Sequence, residues 1–235
     1  MQRDLVYGRR PVREALRGAR KVHEVWASER AREAEPWLAD APRLQTKLER
    51  DLAEAAGTRE HQGVVAWTDP YRYADAWELA ARDRALLVCL DQVTDPRNLG
   101  AVCRTAEAVG ATGVVLPAHG SVTVTPVVAK ASAGAVEHLP VAVVPNLARY
   151  LQEIKRDDLW IYGAAGDAAT TLWQTDLTGG VVFVLGAEGR GLRPLVRRRC
   201  DALVSIPLAG NVESLNVSVA AGVLLFEARR QRGES

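Results

Sequence analysis

Little in this chain suits metal, membrane or disulfide chemistry. Its three cysteines, Cys89, Cys103 and Cys200, lie far apart and form no Cys-x-x-Cys pair. That spacing argues against a cysteine zinc site and predicts reduced thiols in a cytoplasmic setting. The four histidines, His23, His61, His119 and His138, show no His-Glu-x-x-His or paired-ligand spacing, so no metal is expected. No apolar run approaches the roughly 20 residues of a membrane-spanning helix, and the opening residues hold no secretory hydrophobic segment. No membrane partner is expected. The Gly-x-Gly-x-x-Gly dinucleotide fingerprint and the Gly-Lys-Ser/Thr phosphate loop are both missing. So are internal repeats and low-complexity stretches.

What is present reads as an ordinary globular protein. Apolar residues make up 48% of the 235 and charged residues 25%, which suits one large or two modest domains with real cores. The net charge of +1 says nothing for nucleic acid; its distribution says more. Arg3, Arg9, Arg10, Arg13, Arg17, Arg20 and Lys21 are opposed within the same stretch only by Asp4 and Glu14. A second cluster, Arg190, Arg193, Arg197, Arg198 and Arg199, is opposed only by Glu188 and Asp201. Most charge runs are solvated faces, but two such clusters in a near-neutral chain favour a phosphate-bearing partner.

Residues 1–68 read as a small α/β unit. Val12, Ala15 and Leu16 predict a short helix, Val22 to Ala27 a strand, and Leu48, Leu52, Ala55 and Ala56 a second helix ending at Gly57. His61 to Trp67 reads as a turn and closing strand. Residues 69–84, polar and aromatic, read as a linker. From 85 to 235 strands and helices alternate, which predicts a mostly parallel α/β sheet. Its strands are expected at Leu86–Leu90, Gly113–Leu116, Val141–Val144, Trp160–Ala164, Val181–Leu185 and Ala202–Ile206. Helices are expected over Asn98–Val109 and Pro126–Ala133, and from Asn146, whose side chain caps a face of Leu147, Tyr150, Leu151 and Ile154.

Ligands of parallel sheets gather at the carboxyl ends of the strands, where three unusual loops fall. Asp91 to Ala106 opens a helix carrying Asn98 and Arg104, about 240° apart and roughly two turns along; a long side chain leaning toward the helix start still brings Arg104 near it. Val184 to Leu192 holds Gly186, Gly189 and Gly191 directly after a buried strand, suggesting backbone that approaches a ligand closely. The third loop carries Asn211, Glu213, Ser214 and Asn216 before a long apolar helix whose Val217, Val219, Val223, Leu224, Leu225 and Phe226 point nearly all round. Ser214 and Asn216 are equally suited to capping that helix.

Three blocks, Asn98-x-Gly100-x-x-x-Arg104-Thr-Ala, Leu185-Gly186-x-Glu188-Gly189-x-Gly191-Leu192 and Ile206-Pro-x-x-Gly-x-x-x-Ser214-Leu-Asn216-x-Ser218, resemble in order and spacing the three motifs of the SpoU (TrmH-type) RNA ribose 2′-O-methyltransferases. The opening Val6-Tyr-Gly-Arg-Arg-Pro-Val-Arg-Glu-Ala-Leu16 and His61-Gln-Gly63 resemble the L30e-like substrate-binding domain of the branch that methylates a 23S rRNA guanosine.

The resemblance implies a SPOUT-type α/β knot, a mostly parallel sheet with a C-terminal trefoil knot, although connection rules alone would favour an unknotted doubly wound sheet. It implies S-adenosylmethionine as cofactor, with Leu185, Gly186, Gly191, Ile206, Leu208, Leu215 and Asn216 lining its pocket. Asn98, Arg104, Glu188, Ser214 and Asn216 match the family's catalytic set. Arg104 acts there as an electrostatic group, because arginine keeps its proton; Glu188 orients a cation such as Arg104, or a loop amide. Arg9, Arg10, Arg13, Arg97 and Arg190 are expected to meet RNA, with 23S rRNA favoured over tRNA. A homodimer is expected, its catalytic site drawing on both subunits. The alternatives are an RNA-binding module without catalysis, a nucleotide-dependent enzyme, and, within the family, a tRNA ribose or resistance-type rRNA methyltransferase.

Overall fold

Val, Leu and Cys side chains alternate along Leu86–Asp91, and every one is buried, so this strand needs cover on both faces. A computed structural model of the chain describes residues 3–233. It opens with β1 (Asp4–Tyr7), α1 (Arg9–Arg17), β2 (Val22–Ala27), α2 (Glu29–Ala34), β3 (Gln45–Thr46), α3 (Glu49–Ala56) and β4 (Val64–Thr68). These strands form a mixed sheet in the order β1-β4-β2-β3. Gly57 closes α3 in the left-handed region, φ 64°, where the sequence places the helix end.

The chain continues through α4 (Ala76–Ala80), β5 (Leu86–Asp91), α5 (Pro96–Ala108), β6 (Gly113–Pro117), α6 (Pro126–Ala131), β7 (Val141–Val144) and α7 (Leu147–Glu153). Then come β8 (Leu159–Ala164), β9 (Thr170–Thr171), β10 (Gly180–Gly186), α8 (Pro194–Arg199), β11 (Ala202–Ser205) and α9 (Val217–Gln231). All seven strands of this second sheet run parallel, in the order β7-β6-β5-β10-β8-β11-β9. Along β5, Leu86, Val88 and Leu90 pack in a core with Leu99, Val102 and Cys103 of α5 and Ala221, Leu224 and Leu225 of α9. Leu87 and Cys89 point the other way, to Leu147 and Leu151 of α7 and Val196 of α8. Burial pushes the Cys103 and Cys200 thiols up to about 12, leaving them unreactive thiols at neutral pH.

Residues 69–84 are more than bare chain. Ala74 bridges to Ala142 beside β7, and Leu79 and Ala80 of α4 are buried. Around this segment the two sheets are tied together by a mostly buried ion pair. The Arg20 guanidinium donates to both carboxylate oxygens of Glu137, Nε to Oε2 at 2.9 Å, and Tyr71 donates its hydroxyl proton to the Val136 carbonyl at 3.1 Å.

The structure has elements that the sequence reading lacks: β1, α2, β3, α4, α8 and β9. Each is short, and α8 buries only Val196, too little for a visible period. The helix expected to begin near Asn98 starts earlier, at Pro96, capped by Asp95. The last helix packs on one side only within the chain. Val217, Ala221, Leu224, Leu225 and Ala228 are buried, whereas Val219 and Phe226 are 51% and 55% exposed. No described helix is long and apolar enough to cross a membrane.

Candidate active site

The carboxyl ends of β5 and β10 are adjacent strand ends, with Gly186 paired to Asp91. Asp91 is fully buried and accepts from Arg193, backbone N at 2.9 Å and Nε at 2.7 Å. That latch folds the loop after β10 back over the sheet. Within the loop, Gly191 N–H donates to the Ala187 carbonyl at 2.9 Å. A Cβ on Gly186 would lie 2.1 Å from the Gly191 backbone, so this position has no room for a side chain. Gly189 and Gly191 adopt φ of 73° and 64° with open space around them. The glycines thus shape the loop itself, and all three also line the apolar cavity beside it. Gly100 is likewise a packing residue, because its Cβ would meet Ala131 Cβ at 2.4 Å where α5 crosses α6.

The folded loop presents Glu188. Its Oε1 accepts from Asn98 Nδ2 at 3.0 Å and from Asn216 Nδ2 at 2.6 Å, and Asn216 Nδ2 also donates to Asn98 Oδ1 at 3.0 Å. Asn98 is free to do this because Asp95, not Asn98, caps α5, accepting from Arg97 N–H at 2.8 Å. Asn216 caps α9 with its Oδ1, which accepts from Ser218 N–H at 2.9 Å. Capping and site roles thus fall on one side chain. One residue from each of the three motif loops meets here.

Two cavities adjoin this cluster and share Ala187, Glu188 and Val217 in their walls. One, of about 370 Å³, is lined by Leu185, Gly186, Gly191, Ile206, Leu208, Ser214 and Leu215 together with residues 164–166 at the end of β8. Leu208 and Leu215 are 41% and 36% exposed. Exposed apolar walls of this size suit a small molecule or cofactor. The other cavity, of about 470 Å³, is polar, lined by Asn98, Glu188, Arg190 and residues 92–95. Asn216 lines neither and acts by holding Glu188.

Sequence reasoning missed Gln92, which lines the polar cavity with a left-handed φ of 62°. Non-glycine residues rarely adopt that conformation, and composition gives no sign of it.

Arg104 is not brought to this cluster within one chain. It lies two turns along α5, about 9 Å of helix rise from Asn98, exposed on a cleft shared with Arg10 and Arg13. Within one chain Glu188 therefore meets asparagine amides, the second of the two expected partners, and not Arg104. Several clustered arginines are also spoken for. Arg9 pairs with Glu35 at 3.3 Å and donates to the Gln62 carbonyl, Arg193 holds Asp91, and Arg197 makes two 3.0 Å bonds to Asp167. Arg97 and Arg190 are both exposed, and of the two Arg190 lines the polar cavity whereas Arg97 does not. Among the described residues no group of His, Cys, Asp or Glu is assembled to hold a metal.

Comparison with known proteins places both parts of the chain in one family of enzymes. Residues 85–226 match the SpoU rRNA Methylase family, and residues 5–74 match the RNA 2′-O ribose methyltransferase substrate binding family. The 23S rRNA (guanosine-2′-O-)-methyltransferase RlmB of Pseudomonas putida is 44% identical over 98% of both chains. The enzyme of the same name from Xanthomonas campestris is 50% identical over 82% of this chain and 78% of its own. The crystal structure of the SpoU methyltransferase AviRb from Streptomyces viridochromogenes, in complex with the cofactor AdoMet, superposes with a TM-score of 0.84 at 27% identity, covering 99% of this chain and 91% of that one. The chain belongs to the SpoU family of RNA methyltransferases.

Proposed function

We propose that this protein transfers a methyl group from S-adenosylmethionine to the ribose 2′-oxygen of a guanosine in 23S rRNA. The observation that carries the reading is Glu188, fixed by Asn98 and Asn216 between an apolar cavity and a polar one. The apolar cavity fits the cofactor: Leu185, Ile206, Leu208 and Leu215 offer surface for an adenosyl group, and the backbone at Gly186 and Gly191 borders it. S-adenosylmethionine, when bound, supplies an electrophilic sulfonium methyl. The polar cavity beside it holds the target ribose, with Arg190 in its wall for a flanking phosphate.

The chain's own contribution is positioning and electrostatics. Holding an attacking hydroxyl in line accounts for roughly 7–11 kcal/mol of barrier. Both Asn98 and Asn216 donate to Glu188 Oε1, which orients the carboxylate toward the shared wall of the two cavities. Arg104 stabilises the developing alkoxide and its neighbouring phosphate. Since Arg104 stands apart from Glu188 in one chain, it serves the partner subunit's site in a homodimer. The exposed Val219 and Phe226 of α9 are the face such a dimer covers.

The proposal extends to architecture. Residues 1–68 form the substrate-binding unit, 69–84 the connection and 85–235 the catalytic domain in a cytoplasmic enzyme without metal. The segment between β11 and α9, which returns the chain from one end of the sheet to α5, is the knotted one. The first unit favours a large folded RNA over tRNA, because such RNAs are recognised by shape and backbone around the target. Calorimetric titration tests the reading at its base. The protein should bind S-adenosylmethionine without added divalent ions and should not bind ATP. No binding of S-adenosylmethionine contradicts the proposal.

A further inference from the structure

An open groove of about 940 Å³ in the first unit shares no lining residue with the cavities at Glu188. His61 forms part of its wall and is only 3% exposed. The ring's Nδ1 accepts from Gly63 N–H at 3.1 Å, so a neutral imidazole carries its proton on Nε2. That Nε2–H has no hydrogen bond among the described residues. The Glu49 carboxylate stands 3.6 Å from it, beyond hydrogen-bond range, and is 63% exposed. A nearly buried donor and an open acceptor therefore lie side by side in the groove.

The backbone is committed to keeping them there. Gln62 and Gly63 are consecutive left-handed residues, φ 55° and 77°, and their turn brings Gly63 N–H onto the ring. Ser28 Oγ would stand 2.5 Å from a Cβ at Gly63, so the turn also needs glycine. Beside this pair, Leu48 is 59% exposed, a bare apolar surface at the groove wall. Arg30 and Arg59 are exposed at its margin.

The chemistry separates two kinds of occupant. The lining carries Arg9, Arg30, Lys47 and Arg59 beside Glu29, Glu49 and Asp51, so charge alone does not exclude a phosphate. But a phosphate offers acceptors only, and bound at His61 Nε2–H it would set an anion against the Glu49 carboxylate. A nucleobase edge places an acceptor next to an N–H donor, which matches His61 Nε2–H beside Glu49. Its face can lie on Leu48, while the neighbouring phosphates meet Arg30 and Arg59. We propose that this groove binds an unpaired nucleobase of the RNA substrate, read along one edge by His61 and Glu49. The proposal rests on the RNA methyltransferase reading above and adds a second recognition point away from the methylated ribose.

The test titrates the full-length protein with short single-stranded RNAs and with the same strands lacking bases. His61→Asn keeps an acceptor for Gly63 N–H but has no Nε2–H; Glu49→Gln keeps the shape and removes the carboxylate. Each should weaken binding of base-bearing RNA about ten-fold, as expected for one hydrogen bond involving a charged group. Binding of the base-free strand and of S-adenosylmethionine should not change. Melting temperatures verify folding, and if His61→Asn unfolds, the exposed Glu49→Gln carries the test alone. Equal affinities for wild type and variants, or the same loss on base-free strands, overturn the proposal. Tighter binding by Glu49→Gln also overturns it, because it identifies a phosphate occupant. If wild type methylates RNA while the variants bind RNA normally, only this proposal fails; if wild type neither binds nor methylates RNA, the functional reading fails with it.

Discussion

Asn216 donates to Glu188 Oε1 across 2.6 Å while its own Oδ1 accepts from Ser218 N–H. One side chain therefore starts α9 and fixes the loop carboxylate, so helix formation and site assembly are coupled.

The two duties of Asn216 can be separated by substitution. Asn216→Ser keeps a good helix cap but is too short to hold Glu188. It should retain stability while losing methyl transfer about a hundred-fold, the scale of one preorganised polar group. Asn216→Ala should lose the same activity and a further ~1 kcal/mol of stability with the cap. Parallel melting and initial-rate measurements distinguish the two.

Glycine substitutions should split by mechanism. Gly186→Ala places a Cβ 2.1 Å from the Gly191 backbone, so the loop cannot close and S-adenosylmethionine binding should be lost. Gly100→Ala pushes α5 from α6 and should cost about 2 kcal/mol, as overpacking does, with weaker effects on cofactor affinity. Calorimetry and chemical denaturation report each.

Much of this was legible in the sequence because the relevant signals were local. The apolar runs gave β2 and β7 to the residue, and Asn146 was read as the cap it is, accepting from Arg149 N–H at 3.1 Å. The meeting of Asn98, Glu188 and Asn216 followed from motif resemblance; periodicity could not bring together residues 118 positions apart. The two-turn separation of Arg104 from Asn98 was legible in the sequence, but its reach back to the helix start was not met within one chain, where Arg104 lies on a cleft with Arg10 and Arg13. The arginine clusters overstated free charge, since Asp91, Asp167 and Glu35 are sequence-distant partners that only the fold supplies.

If Arg104 serves the partner's site, two inactive variants should complement. Arg104→Ala and Glu188→Ala, each inactive alone, should on mixing regain about a quarter of wild-type activity after free subunit exchange, one intact site in each mixed dimer. No recovery despite exchange shows that Arg104 acts in its own chain or not at all. Phe226→Glu should abolish this recovery by leaving monomers, as judged by light scattering.

Glu227 links stability to pH. Hydrogen bonds from Arg230, followed by Gln231, hold its carboxyl down at about 2, below the unfolded value of about 4.3. A depressed pKa stabilises the fold above the unfolded value, and that contribution is lost as pH falls through the folded one. Glu227→Gln should therefore melt lower than wild type at neutral pH, by roughly 1 kcal/mol. The gap should close between about pH 4 and pH 2, as followed by melting curves across that window.

The most direct measurement supplies the full-length protein with S-adenosylmethionine carrying a labelled methyl group, together with 23S rRNA transcripts or bulk tRNA. Mass spectrometry then identifies the labelled nucleoside. The expected product is 2′-O-methylguanosine from 23S rRNA, lost when residues 1–68 are deleted although the truncated chain still binds S-adenosylmethionine. Label on a base, or on tRNA and not 23S rRNA, would contradict the assignment, as would a truncated chain as active as the whole.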